Sequence, residues 1–273
     1  IKYGANLVQN GRFDELGSDL VTNGDFATDS NWTFNSAYWN ISGGTANALG
    51  VANGSFTQTL PVESGKTYKI EIASTITSGN GIYAIKLGTT QQIFDNNTSN
   101  ITAYLVASGD NVAVNIQPGA SAFSVSSITV KQVDPNNRWT LGTGWSYGDG
   151  IASCDGSQTS TSNFVQADTF DNNLTDTYKL SFDLVVTQGS VTASSGSMSQ
   201  SFTTSGFKSF IGSPATGAGN LNFTAGTTFI GSVTNVMVEK QKYVPTNLKL
   251  NKGNYKSADP VIVSTKSIDL DGS

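Results

Sequence analysis

The sequence predicts an all-β chain, folded as two tandem β-sandwich (jelly-roll) domains with extended terminal segments. Three observations carry this. First, only 13% of residues are charged, while Gly (29 of 273), Ser, Thr and Asn are abundant, a composition that favours strands and turns over helices. Second, short runs alternate apolar and polar residues, as in Tyr68-Lys69-Ile70-Glu71-Ile72. Third, landmarks recur in order at nearly constant offset: Trp32 and Trp139 (107), Trp39 and Trp145 (106), Thr67-Tyr68-Lys69-Ile70 and Thr177-Tyr178-Lys179-Leu180 (110). A period that long implies duplication of a whole domain rather than a solenoid repeat.

The N-terminal segment, 1–16, holds Leu7-Val8-x-Asn10-Gly11-x-Phe13, which returns thirteen residues later as Leu20-Val21-x-Asn23-Gly24-x-Phe26. Asn-Gly after an apolar pair favours a tight turn closing a short strand. Only the second copy leads directly into a tryptophan-bearing module. The first is therefore either an extended lead-in or an orphan strand, which pairs with module two, with a preceding domain or with a neighbouring subunit.

Module one spans 17–134. It is organised around residues 20–50, where a short apolar strand meets Asn23-Gly24, Trp32 and Trp39 follow, and Gly43-Gly44 closes a turn. Strands with one buried face follow at Tyr68–Ile72, Tyr83–Leu87 and Val112–Ile116. In the closing strand, Ser124–Lys131, the apolar phase slips by one residue at Ser126-Ser127, which predicts a bulge or a register change. Asp134-Pro135-Asn136-Asn137 reads as a linker.

Module two, 135–241, repeats the landmarks and closes on Ser232–Glu239. Its Thr192–Met198 and Ser213–Asn220 stretches are so rich in Gly, Ser and Thr that they read as loops or weak strands. Residues 242–273 form a basic connector with Lys249, Lys252 and Lys256, and then the start of a further domain, where Ile268 and Leu270 alternate with polar residues.

Composition also excludes functions. There is no histidine, which removes the usual general base and the commonest metal ligand. Catalysis would need a framed pair of carboxylates, and no signature frames one among the 20 acidic residues, so no enzyme is expected. The single cysteine, Cys154, cannot form an intrachain disulfide and reads as a small core residue. A net charge of −5 without a basic stripe excludes a nucleic-acid partner. No apolar run reaches the ~18 residues of a membrane span, so no membrane insertion is expected.

Sugar binding asks for an aromatic face beside Asn, Asp or Gln. Trp39 and Trp145 are candidate platforms, together with Tyr38, Tyr83 and Tyr147, which lie beside turn or polar segments; Trp32 and Trp139 are assigned to the core. Oxygen-only cation ligation is feasible in Asp95-Asn96-Asn97 and Asp171-Asn172-Asn173, whose other reading is plain turn residues.

The Leu20-Val21-x-Asn23-Gly24-Asp25-Phe26 opening, the Trp32/Trp39 pair and Gly65–Ile70 resemble the galactose-binding-like jelly rolls of family 4/9-type carbohydrate-binding modules. The form NGDFATDSNWT…WNISGGTA looks especially like modules of bacteriophage tail and other virion proteins, and Ser267–Ser273 looks like the first strand of a laminin-G or concanavalin-like lectin domain. The resemblance implies an adhesive or structural virion component on a tail or capsid exterior. Its implied partners are other virion subunits and host surface glycans, and by analogy it is a homo-oligomer, a trimer. It also implies a metal role for Asp25 where such modules carry structural calcium. Ser126-Ser127 and Thr234-Asn235 stand where an acidic pair would complete that site, so the cofactor expectation is none, with calcium as the alternative. Two other readings stay open: an architectural virion spacer that binds no sugar, and the non-catalytic part of a secreted polysaccharide-degrading enzyme.

Overall fold

A computed structural model describes residues 2–52, 54–78, 83–94, 100–109, 113–118, 121–171, 176–214 and 219–242, with backbone placement alone for 83 and 113–118. The expectations for residues 243–273, including the lectin-like Ser267–Ser273, lie outside the described residues, as does Asp95-Asn96-Asn97. Every regular element among the described residues is a strand. In chain order they are β1 (Lys2–Asn6), β2 (Leu16–Asp19), β3 (Thr33–Phe34), β4 (Trp39–Ser42), β5 (Thr45–Leu49), β6 (Phe56–Thr59), β7 (Thr67–Ser78), β8 (Tyr83–Leu87), β9 (Thr90–Phe94), β10 (Asn100–Val106), β11 (Ala113–Pro118) and β12 (Ala122–Val133). There follow β13 (Trp139–Leu141), β14 (Trp145–Gly148), β15 (Ile151–Cys154), β16 (Ser162–Gln166), β17 (Tyr178–Gln188), β18 (Val191–Ser195), β19 (Met198–Phe202), β20 (Gly206–Gly212), β21 (Leu221–Ala225) and β22 (Ile230–Lys242).

The duplication holds strand for strand. Module one packs a sheet ordered β10-β7-β12-β5-β4, with β2 also on β12, against a sheet ordered β3-β6-β11-β8-β9. Module two packs β20-β17-β22-β15-β14, with β1 on β22, against β13-β16-β21-β18-β19. All ladders are antiparallel. Each module is thus a two-sheet sandwich whose inward side chains form the core, because alternate residues of a strand point to opposite faces.

The lead-in belongs to module two. β1 pairs with the far end of β22, Lys2 opposite Lys242, as β2 pairs with β12. The two echoed motifs make matching plugs. Asn10 and Phe13 have φ of 49° and 54°, and Asn23 and Phe26 have 54° and 55°. Val236 N donates to Gly11 O (2.8 Å) as Ile128 N donates to Gly24 O (2.9 Å). Phe13 then meets Trp139 at 5.4 Å between ring centroids, and Phe26 meets Trp32 at 5.6 Å. Module two is consequently discontinuous, with module one inserted between its first strand and its second.

The register slip read at Ser126-Ser127 is a bulge. Val125 faces Ser74 and Ser127 faces Ala73, leaving Ser126 extra. In β22, Asn235 and Val236 stand against the single residue Phe182. Each bulge lies where the Asn-Gly plug docks, so the disrupted ladder gives the plug a backbone donor to bind. Of the two readings of Thr192–Met198, the weak strand is the one found: Thr192–Ser195 lie within β18 and Met198 opens β19. Their strand signal is weak because Val191 and Ala193 are the only apolar residues on the inward side of β18.

Candidate functional site

Most of the candidate platforms are core residues. Trp39 is fully buried (0% exposed), 4.8 Å from Phe56 and 5.5 Å from Phe123 between ring centroids, and its Nε1 donates to Gly54 O at 3.1 Å. Trp145 is 6% exposed, lies 5.1 Å from Phe164, and donates Nε1 to Ser162 O at 3.4 Å. Neither ring presents a face to a sugar, which corrects their assignment. An indole that finds a backbone acceptor is stably buried, and position in a repeat does not distinguish that from a surface platform. Tyr147 is corrected likewise. It is buried against Phe13 and Phe164 and donates to Asp134 Oδ2 at 3.3 Å, and burial first, then the Asp134 charge, push its phenol well above the ordinary range. The side chain of Tyr83 lies outside the described residues; its backbone pairs with Phe94.

Asp25 is exposed, and its Oδ1 accepts from Ala27 N at 3.4 Å, the geometry of a turn. Among the described residues no three His, Cys, Asp or Glu side chains gather where they could hold a metal ion. Cys154 is buried, with its thiol pushed up by burial, at the position Ala48 holds in module one.

Tyr38 is different. It lies half-buried over Gly54, and a β-carbon added at that glycine would fall 2.4 Å from Tyr38 Cβ. The turn that places it is closed by Tyr38 N donating to Asn35 O (2.9 Å), while Asn35 Oδ1 accepts from Ala37 N (2.9 Å). Beside it Phe34 is half-buried and stacks on Phe56 at 5.4 Å. Phe34, Tyr38, Thr33, Asn35, Ser55 and Thr57 line a groove of about 440 Å³. Here a predicted platform that is half-buried rather than buried meets polar side chains.

Of the groove's lining residues, Thr33 and Thr57 belong to the outer face of the five-stranded sheet. Across it, Thr33, Thr57, Lys86 and Gln91 fall in one cross-strand row, with the backbone of β11 at position 115 between Thr57 and Lys86. The corresponding row of module two is Thr140, Val165, Asn222, Ser194 and Ser199, and a second row there is Asn163, Thr224, Thr192 and Ser201. Neither row of module two contains a charge. Thr224 Oγ1 donates to Asn163 Oδ1 at 2.7 Å, and the Thr192 and Ser201 hydroxyls lie 2.6 Å apart. Rows of hydroxyls and amides repeating at the ~4.8 Å strand spacing can hydrogen-bond an extended polyhydroxyl chain. Module two lacks the aromatic end of the groove, because Leu141 and Gly144 occupy the places of Phe34 and Tyr38. Leaving Thr192–Met198 between loop and weak strand hid these rows. The Asn-Phe-Val and Asn-Phe-Thr triplets around Phe164 and Phe223 were the signal that could have found them.

No family model matches the chain, and no curated protein does. Solved structures similar to it include the N-terminal CBM22-1–CBM22-2 tandem domain of Xyn10C from Paenibacillus barcinonensis, at 11% identity over 84% of this chain and 99% of that one, with a TM-score of 0.30. A CBM4 structure matches at 17% identity over 46% of this chain and 99% of that one, with a TM-score of 0.28. A Paenibacillus xanthan lyase matches at 14% identity over 80% of this chain and 25% of that one, also at 0.28. Likenesses this loose leave the fold to rest on the strand orders above.

Proposed function

We propose that this chain is a non-catalytic carbohydrate-binding protein, whose module one holds a glycan in the Tyr38 groove and along the polar row beyond it. The observation that carries the proposal is the placement of Tyr38 and Phe34, two half-buried rings flanked by Thr33, Asn35 and Thr57 at one end of the row that runs on to Lys86 and Gln91. Rings take the C–H face of a pyranose and the hydroxyl and amide groups take its oxygens. Affinity per module is low, since a single short groove is engaged, and gains from multivalent display. The absence of histidine from the sequence supports the non-catalytic part of the reading. The virion exterior as its setting, with other virion subunits and host glycans as partners, rests on the resemblance of residues 20–50.

The test is a glycan array followed by titration of the full chain with neutral disaccharides (maltose, cellobiose, lactose), beside Tyr38→Ala. The expected result is about tenfold weaker binding in a variant that still melts cooperatively. An array without a single positive glycan, or unchanged affinity in Tyr38→Ala, would overturn the assignment.

The architectural reading keeps a specific support of its own. Phe207 (67% exposed) and Ile211 (54%) project from β20, which among the described strands pairs only with β17. An open apolar edge is the feature a subunit contact uses.

A further inference from the structure

The insertion of module one into module two creates a second concavity. The crossover residues Arg12 and Asp14 pass between the modules at a cleft of about 420 Å³, within the ~300–1,000 Å³ of ordinary ligand sites. Module one supplies Lys69 and Tyr104, from the outer face of its six-stranded sheet; module two supplies Asp149, at the β14–β15 turn, and Asn235, at the bulge of β22. Tyr104 packs on module two, since a β-carbon at Gly148 would lie 3.5 Å from its ring, and the ring is still half-exposed. Its hydroxyl has no hydrogen-bond partner among the described residues.

Charges of both signs meet here. Arg12 pairs with Asp14 at 3.3 Å, and Lys69 pairs with Glu71 at 2.7 Å. The hydrogen bond to Glu71 holds Lys69 protonated above its ordinary range, with Tyr104 and Asp149 adding to it. The cleft itself is lined by two cations, Arg12 and Lys69, and two carboxylates, Asp14 and Asp149, and Glu71 beside Lys69 adds a third carboxylate, a mixed set that suits neither a strongly anionic nor a strongly cationic ligand. Carboxylates and a guanidinium fork do suit vicinal hydroxyls, which accept and donate at once.

We propose that the cleft between the modules is a second saccharide site, distinct from the Tyr38 groove. It takes one or two rings of a neutral sugar, with the ring over Tyr104 and vicinal hydroxyls bonded to Arg12, Asp14 and Asp149. The ligand class is that of the function proposed above, and the site itself stands on its own residues. It exists only while the modules are docked, so its ligand also holds them together.

The experiment is calorimetric titration of the full chain with maltose, cellobiose and lactose, comparing wild type with Arg12→Ala, Tyr104→Ala and Tyr38→Ala. Arg12 is exposed, so its variant keeps the fold; Tyr104→Ala also removes a packing contact and is read beside Tyr104→Phe, which keeps the ring. Two sugars per chain are expected, with the second weakened about tenfold in Arg12→Ala and Tyr104→Ala but not in Tyr104→Phe. One sugar per chain, lost in Tyr38→Ala and unaffected by Arg12→Ala or Tyr104→Ala, overturns the cleft and leaves the groove standing. Binding that survives Tyr38→Ala and falls in Arg12→Ala supports the cleft and overturns the groove. No binding by any protein overturns both.

Discussion

Gln9 and Gln166 exchange two hydrogen bonds across 157 positions of sequence: Gln9 N donates to Gln166 Oε1 at 2.9 Å, and Gln166 Nε2 donates to Gln9 O at 2.6 Å. Thr22 and Gln58 do the same in module one, at 2.8 Å each way. The buried glutamine acts as an extra peptide unit that ties each plug to its sandwich. Phe13 is the apolar half of that tie. Phe13→Ala is expected to cost about 3–5 kcal/mol. Hydrogen exchange should show the loss of protection in β13–β22 and leave β2–β12 near wild type.

Gly11 and Gly24 make matched predictions. A β-carbon would fall 2.2 Å from Val236 O in one case and 2.3 Å from Ile128 O in the other. Gly11→Ala and Gly24→Ala should each destabilise their own module by about 1–3 kcal/mol, as overpacking does. Chemical denaturation followed by tryptophan fluorescence checks this, and a neutral outcome at both sites would refute the plug model.

Trp39→Ala and Trp145→Ala should cost about 3–5 kcal/mol each, the price of emptying an aromatic core site. Neither can therefore serve as a binding probe. Trp39 holds Gly54 through its Nε1 and so supports Tyr38 from beneath. Any loss of sugar binding in Trp39→Ala should track loss of fold, whereas in Tyr38→Ala binding should fall far more than stability in titration and melting curves.

Alkali should weaken module two. The phenols of Tyr147 and Tyr178 are both pushed up from 10.0, chiefly by burial. A phenol with a raised folded pKa contributes stability in full below its unfolded value, and that stability is lost as pH climbs from about 10 toward the folded value. Stability measured by denaturant should fall above pH about 10, and Tyr147→Phe should flatten that fall.

The edge of β20 predicts self-association. Lys placed at Phe207 and Ile211 should leave the fold intact, because both side chains are exposed, and should reduce any concentration-dependent sedimentation of the full chain. Sedimentation identical in wild type and variant across a concentration series removes the support this edge gives the architectural reading.

The fold was legible where side chains are large and strands alternate. Tryptophan landmarks and the Tyr68 and Tyr178 strands pointed to the duplication, because a sandwich core must repeat its bulky inward residues. The Asn-Gly echo was visible as a repeat, but its partner was not, since pairing between residues 2 and 242 is a long-range choice that no local signal records. The site was less legible. Tyr38 stood beside Trp39 in sequence, and only burial separates the surface ring from the core ring. The polar rows escaped because Ser and Thr in a strand resemble Ser and Thr in a loop. Tyr104 and Arg12 become neighbours only through the insertion.

That insertion also sets how the molecule bears a load. The backbone enters β1 at Lys2 and leaves β22 at Lys242, side by side at one end of an antiparallel ladder. Tension applied between those two points peels β1 away one hydrogen-bonded pair at a time, instead of shearing the whole ladder at once. With β1 gone, the pull reaches the Gly11–Val236 bond and the Phe13 ring, so the first stretch to yield is the one that completes module two. Under force the later module opens at its seam first, and the inserted one is still folded when it does.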